Sequence, residues 1–132
     1  MDASELKGVA GVGIDVCDVA RIAKLIDEYG EAFLRRTFSD GEIAYCSKKS
    51  NPAIHYAARF AAKEAMSKAL GTGFSGEITL KSLCVGNAKD GSPYAILDSA
   101  AKARIDHLNG KTMHISLTHL KDFAQAIAIL SK

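Results

Sequence analysis

The chain has 132 residues and a formal net charge of +2, with 48% hydrophobic and 24% charged residues. That balance suits one globular domain with its own core and excludes a disordered or low-complexity chain. So small a net charge gives no ground for nucleic-acid binding, and no stretch nears the about 20 apolar residues that span a bilayer.

Reading along the chain, GVAGVGIDV (residues 8–16) alternates as a strand with period two. Ala10, Val12, Ile14 and Val16 form an apolar face, while Gly11, Gly13 and Asp15 share the other, where something bulky can approach the backbone. Asp18 is placed to cap a helix carrying Val19, Ile22, Leu25, Ile26 and Tyr29 at helical spacing. Ser39 to Glu42 fits a capping box and opens a short helix ending near Cys46. Asn51-Pro52 starts a long helix that runs to about Leu70 and stops at Gly71. Strands are expected at Ile78–Val85 and Tyr94–Leu97, then a helix capped by Asp98 that ends at Asn109-Gly110. TMHISLTH and FAQAIAIL read as a closing strand pair. This order predicts an α+β domain with a largely antiparallel sheet. Cys17, Cys46 and Cys84 are far apart and form no CxxC pair, which predicts reduced thiols in a cytoplasmic protein. The first residues, MDASELKG, lack the basic flank and apolar run of a secretion leader.

The chemistry concentrates on the long helix, in RFAAKEAMSKALGTG (residues 59–73). On a helical wheel, Ile54, Ala58, Ala61, Ala62, Ala65, Met66 and Ala69 make an apolar arc. Glu64 and Lys68 lie at its edge, with Arg59 and Lys63 on the polar side. Glu64 and Lys68 have the spacing of a surface ion pair worth roughly 0.3–0.5 kcal/mol. Asp15 and Glu64 together have the chemistry of a magnesium site, since Mg²⁺ is held by one or two carboxylates plus waters and substrate phosphates. Lys68 and Arg59 would then offset phosphate charge. Gly71-Thr72-Gly73 follows a helix rather than preceding one, so it is not a phosphate-cradling N-terminus. From the residues alone, the result is a candidate magnesium-phosphate site.

GVGIDVCDVARI, FAAKEAMSKALGTG and HISLTH, in this order, resemble the holo-acyl-carrier-protein synthase family of small bacterial-type 4′-phosphopantetheinyl transferases. The resemblance runs from about Gly8 to the C-terminus. It implies transfer of 4′-phosphopantetheine from coenzyme A to a serine of apo-acyl carrier protein, releasing 3′,5′-ADP, in fatty acid biosynthesis. It also implies the family's fold, a largely antiparallel sheet packed with a long central helix. Asp15 and Glu64 match the family's Mg²⁺ ligands, and Lys68 its phosphate contact and candidate proton donor. Arg59 and His114 resemble residues lining the coenzyme A pocket, with Gly71, Gly73 and Pro93 alongside. The serine's base is left open among Glu64, Asp15 and a metal-bound water. Arg21, with Lys24 beside it, matches the cations that meet an acidic carrier protein; spacing alone would make them a solvated helix face. The family implies a homotrimer with active sites between subunits. Residues 1–7 form an extension before the family's usual start, and Ser92 stands where a lysine precedes Pro93.

Overall fold

The structure, a computed structural model, describes residues 7–132, so the extension expected at 1–7 lies, except for Lys7, outside the described residues. Strand β1 (Val9–Asp18) leads into helices α1 (Val19–Tyr29), α2 (Glu31–Thr37), α3 (Asp40–Ser47) and the long α4 (Pro52–Leu70). A 3-10 turn (Leu80–Ser82) precedes the hairpin β2 (Leu83–Asn87) and β3 (Pro93–Leu97), followed by α5 (Ser99–His107), β4 (Thr112–His119) and β5 (Phe123–Ser131). β1, β5 and β4 make a three-stranded antiparallel sheet with β5 at its centre, and β2 and β3 make a separate antiparallel ribbon. The α+β expectation therefore holds, with two sheets instead of one.

Local chemistry sets most boundaries. Asp18 Oδ1 accepts from the Ala20 amide at the start of α1, and Ser39 and Glu42 exchange both bonds of a capping box on α3. Pro52 begins α4 as expected, although Asn51 makes no side-chain cap. Gly71 ends α4 at φ 74, a left-handed position that glycine reaches without Cβ strain. Two details differ from the sequence reading. Helix α2 follows α1 after a break at Gly30 (φ 55). The strand expected from Ile78 begins only at Leu83, because the Thr79 amide donates to Ser82 Oγ at 3.0 Å and winds the intervening residues into the 3-10 turn.

The fold turns on how β1 meets α4. A Cβ on Gly11 would lie 1.9 Å from the Ala69 carbonyl oxygen, and one on Gly13 would lie 1.9 Å from that of Ala65. Two strand residues advance about 6.6 Å and four helical residues about 6 Å, so strand and helix stay in step as they run in opposite directions. The bulky neighbour anticipated on the glycine face is thus the chain's own helix. Ala124, Ala126 and Ala128 of β5 complete this small-residue floor. The apolar face of β1 is correspondingly the outer one: Val12, Ile14 and Val16 are exposed.

α4 is not the two-sided helix that the wheel implies. Covered by the sheet, α1, α3 and the hairpin, it buries Arg59 and Lys63 as fully as its alanines. Its described residues still open to solvent after the first turn and a half are Glu64, half-buried, and Lys68.

Candidate active site

The step between β1 and α4 brings Asp15, next on the glycine face after Gly13, to the helix edge that carries Glu64 and Lys68. Lys68 Nζ donates to Asp15 Oδ1 at 3.2 Å and to the Ile14 carbonyl at 3.0 Å. It therefore reaches across to the strand instead of forming the along-helix pair with Glu64 that spacing suggested. Among the described residues Glu64 has no ion-pair partner and its carboxylate accepts no hydrogen bond from the protein. Burial raises its pKa from the ordinary 4.5, and the adjacent Asp15 carboxylate raises it further, against smaller opposing effects from Lys68 and Arg21.

This arrangement fits a hard cation. Two carboxylates from separate elements face each other, one has no protein partner, and their mutual repulsion is relieved when positive charge comes between them. Among the described residues no third histidine, cysteine or acid joins them. That suits magnesium, which takes its remaining oxygens from water and substrate phosphate.

A second, basic region lies where α3, α4, the hairpin loop and the end of β4 meet. Its wall includes Tyr45, His55, Arg59, Asn87, Gly91, Pro93 and His119 and has no carboxylate. The Arg59 guanidinium lies 4.1 Å from the Tyr45 ring centroid and donates to Asn87 Oδ1, while Lys49 Nζ stands 4.5 Å from the same ring. Arg59 is buried and, among the described residues, its Nε has no hydrogen-bond partner. The rings of His55 and His119 are 5.5 Å apart. Burial lowers the pKa of His55, helped by His119, Lys49 and Arg59. The Arg59 and Lys49 cations, with imidazole and amide donors beside them, can receive a phosphate-bearing anion.

The structure brings together Asp15, Glu64 and Lys68 at one place, and Arg59 with Pro93 at another. Gly71 caps α4 just beyond Lys68, and Gly73 (φ 57) turns the loop that follows. Arg21 and Lys24 are exposed on α1, with Arg21 5.6 Å from the Phe60 ring centroid and Lys24 paired loosely with Glu28 at 4.0 Å. Within one chain the structure does not bring His114 to the Arg59 pocket; the family resemblance places the coenzyme A pocket between subunits. His114 and His119 lie on opposite faces of β4; His119 points to the pocket, whereas His114 Nε2 lies 3.2 Å from Ser131 Oγ near the far end of the strand. His55, His119, Tyr45 and Asn87 were not singled out as pocket residues. Period two along HISLTH separated the two histidines but could not say which face meets α4.

Fold and site define a protein that gathers two carboxylates and a lysine at one place and builds a basic pocket at another. The chain belongs to the 4′-phosphopantetheinyl transferase superfamily, whose sequence pattern matches residues 11–128. It is 40% identical over 122 residues to the holo-[acyl-carrier-protein] synthase of Koribacter versatilis, an alignment covering 92% of this chain and 98% of that protein. The crystal structure of holo-[acyl-carrier-protein] synthase from Neisseria meningitidis superposes with a TM-score of 0.86 at 27% identity, covering 94% of this chain and 99% of that one. The Helicobacter pylori holo-[acyl-carrier-protein] synthase, solved in complex with coenzyme A, superposes with a TM-score of 0.80 at 31% identity, covering 91% and 99%.

Proposed function

We propose that this chain transfers 4′-phosphopantetheine from coenzyme A to a serine of an apo-acyl carrier protein, giving holo-acyl carrier protein and 3′,5′-ADP. The observation that carries the reading is the convergence of Asp15, unpaired Glu64 and Lys68 at the meeting of β1 and α4. In phosphoryl transfer the protein's task is chiefly to position the groups and to stabilise charge on the equatorial and leaving oxygens. Asp15 and Glu64 would hold Mg²⁺, which when bound neutralises diphosphate oxygens and polarises phosphorus. Lys68, half-exposed and held only by Asp15 and a carbonyl, is free to turn its ammonium to the leaving phosphate and to give it a proton. The base for the serine proton is Glu64, Asp15 or a metal-bound water. Arg59 and His119 suit the nucleotide's phosphate charge, with Gly91 and Pro93 shaping the rim. Arg21 and Lys24 present cations at the surface for an acidic carrier protein.

The homotrimer belongs to the same reading. Val12 and Ile14 pair in register with Ile129 and Ile127, and all four are at least 37% exposed, so the outer sheet face is a contiguous apolar surface. Such a patch suits a subunit interface. Three free, buried cysteines suit a reducing, cytoplasmic setting.

The test is mass spectrometry of apo-acyl carrier protein incubated with this protein, coenzyme A and MgCl₂. The expected result is a gain of about 340 Da, the phosphopantetheine increment of the proposed transfer, abolished by EDTA. Consumption of coenzyme A with no mass gain on any carrier would overturn the reading in favour of hydrolysis. Ultracentrifugation checks the assembly: Ile14→Asp should give a smaller species than the wild-type chain.

A further inference from the structure

Lys63, beside Glu64 in sequence, is fully buried, and so is its partner Glu42 on α3. Lys63 Nζ donates to Glu42 Oε1 at 2.8 Å, the Leu80 carbonyl at 3.0 Å and the Leu83 carbonyl at 3.1 Å, using all three of its protons. Cys84 Sγ lies 3.5 Å from it. Glu42 is equally occupied, accepting the Ser39 amide at 3.0 Å on one oxygen and the Val85 amide at 2.9 Å on the other. The catalytic reading above uses none of these atoms.

Stability does not explain such a pair, because a well-packed apolar pair of similar volume commonly holds a fold as well or better. Direction explains it. Lys63 and Arg59 are one helical turn apart on α4 and grip successive parts of β2. Lys63 and Glu42 take Leu83 and Val85, while Arg59 takes Asn87 at the strand's end. Asn87 Nδ2 in turn donates to the Gly91 carbonyl across the hairpin loop. β2 pairs with β3 alone, so these side chains fasten the ribbon to the helix. The same helix carries Glu64.

We propose that Glu42 and Lys63 are a positioning pair that keys the β2–β3 hairpin to α4, and so fixes the hairpin wall of the Arg59 pocket. The inference rests on the transfer reaction proposed above. With the pair intact, Asn87, Gly91 and Pro93 are held against Arg59 where a phosphate-bearing donor would bind. With it lost, that wall drifts from the helix, and a displacement of about 1 Å can cost roughly a hundredfold in rate.

The experiment compares steady-state transfer by wild type, Glu42→Gln/Lys63→Met, Glu42→Asp and Ile105→Ala. Ile105 is a buried residue of α5 outside both regions, and its truncation controls for lost stability. The double variant is expected to raise KM for coenzyme A about tenfold or more and to lower kcat as well. Ile105→Ala is expected to stay within about twofold on both constants at a comparable melting temperature. Glu42→Asp keeps both charges but draws the carboxylate back by one methylene; it should shift KM the same way by a smaller factor, and it remains informative if the double variant does not fold. Wild-type constants in either pair variant, or an equal loss in Ile105→Ala, would overturn the proposal. An inactive wild-type chain would instead reject the transfer reaction, so the two failures are distinguishable.

Discussion

Lys63 and Lys68 occupy one helix, each beside an acid from another element, and the protein treats them in opposite ways. Lys63 and Glu42 are both 0% exposed, with every proton and carboxylate oxygen occupied. The Lys68 side chain is 52% exposed and Asp15's 21%, with unpaired Glu64 alongside. The first pair is closed, and nothing can be added to it. The second has spare bonding capacity facing solvent, as a group that must receive a substrate requires. A lysine beside a carboxylate at a similar distance is thus sealed in one place and, on the proposed reading, open to substrate in the other, and satisfaction of the bonds is what separates them.

The largest break of this contrast is expected at the closed pair. Lys63→Ala strands Glu42 as a buried unpaired charge, which should cost about 3–5 kcal/mol. Thermal denaturation checks this, and an unchanged melting temperature would contradict it. Glu64→Gln acts at the open site and should reduce transfer roughly 10²–10³-fold while the protein stays folded, measured by carrier-protein mass gain. Next comes Gly13→Ala, whose methyl group would drive into the Ala65 carbonyl. It should lose about 1–3 kcal/mol and separate Asp15 from Lys68, impairing both stability and transfer. Lys68→Ala is the smallest in stability, at about 0–1 kcal/mol, because its ion pair is largely solvated. Its transfer rate should nonetheless fall about a hundredfold, so the two assays must diverge.

Glu64 sharpens the comparison through pH. Its pKa in the folded protein is raised above the ordinary 4.5, chiefly by burial and then by Asp15. A raised value means that its protonated form is favoured by folding. The associated stability is present below the ordinary carboxylate range and lost as pH rises through the raised value. At pH 7 the metal-free wild type therefore carries a cost that Glu64→Gln does not. The variant should melt higher at pH 7 in EDTA, with the gap closing towards pH 4; equal melting at both pH values would remove Glu64 from its half-buried place beside Asp15. Mg²⁺ should raise the melting temperature of wild type more than that of the variant.

What was readable in advance followed from short-range rules. The capping box at Ser39, the Pro52 start, the Gly71 stop and the alternation in β1, β4 and β5 gave most elements and the antiparallel α+β class. Resemblance across three motifs picked out Asp15, Glu64 and Lys68, which the structure brings together. Periodicity says that two faces exist but not which one is covered. The apolar face of β1 is therefore the outer one, because glycine on the other face lets α4 approach closer than any side chain would allow. The wheel likewise put Arg59 and Lys63 with the polar residues, since it knows their type and not the acceptors at Glu42, Leu80, Leu83 and Asn87 that come from 17 to 28 residues away.

The sequence by itself determined where most helices and strands begin and end, because caps, turns and periodicity act within a few residues. It also determined which acids and cations the chain has to work with. Tertiary structure alone decided that Lys68 meets Asp15, that His119 and not His114 joins Arg59, and that Lys63 is sealed while Glu64 stays open. Those outcomes depend on which surfaces come into contact across the whole chain, and a buried charge is tolerated only where distant backbone and side-chain groups satisfy it.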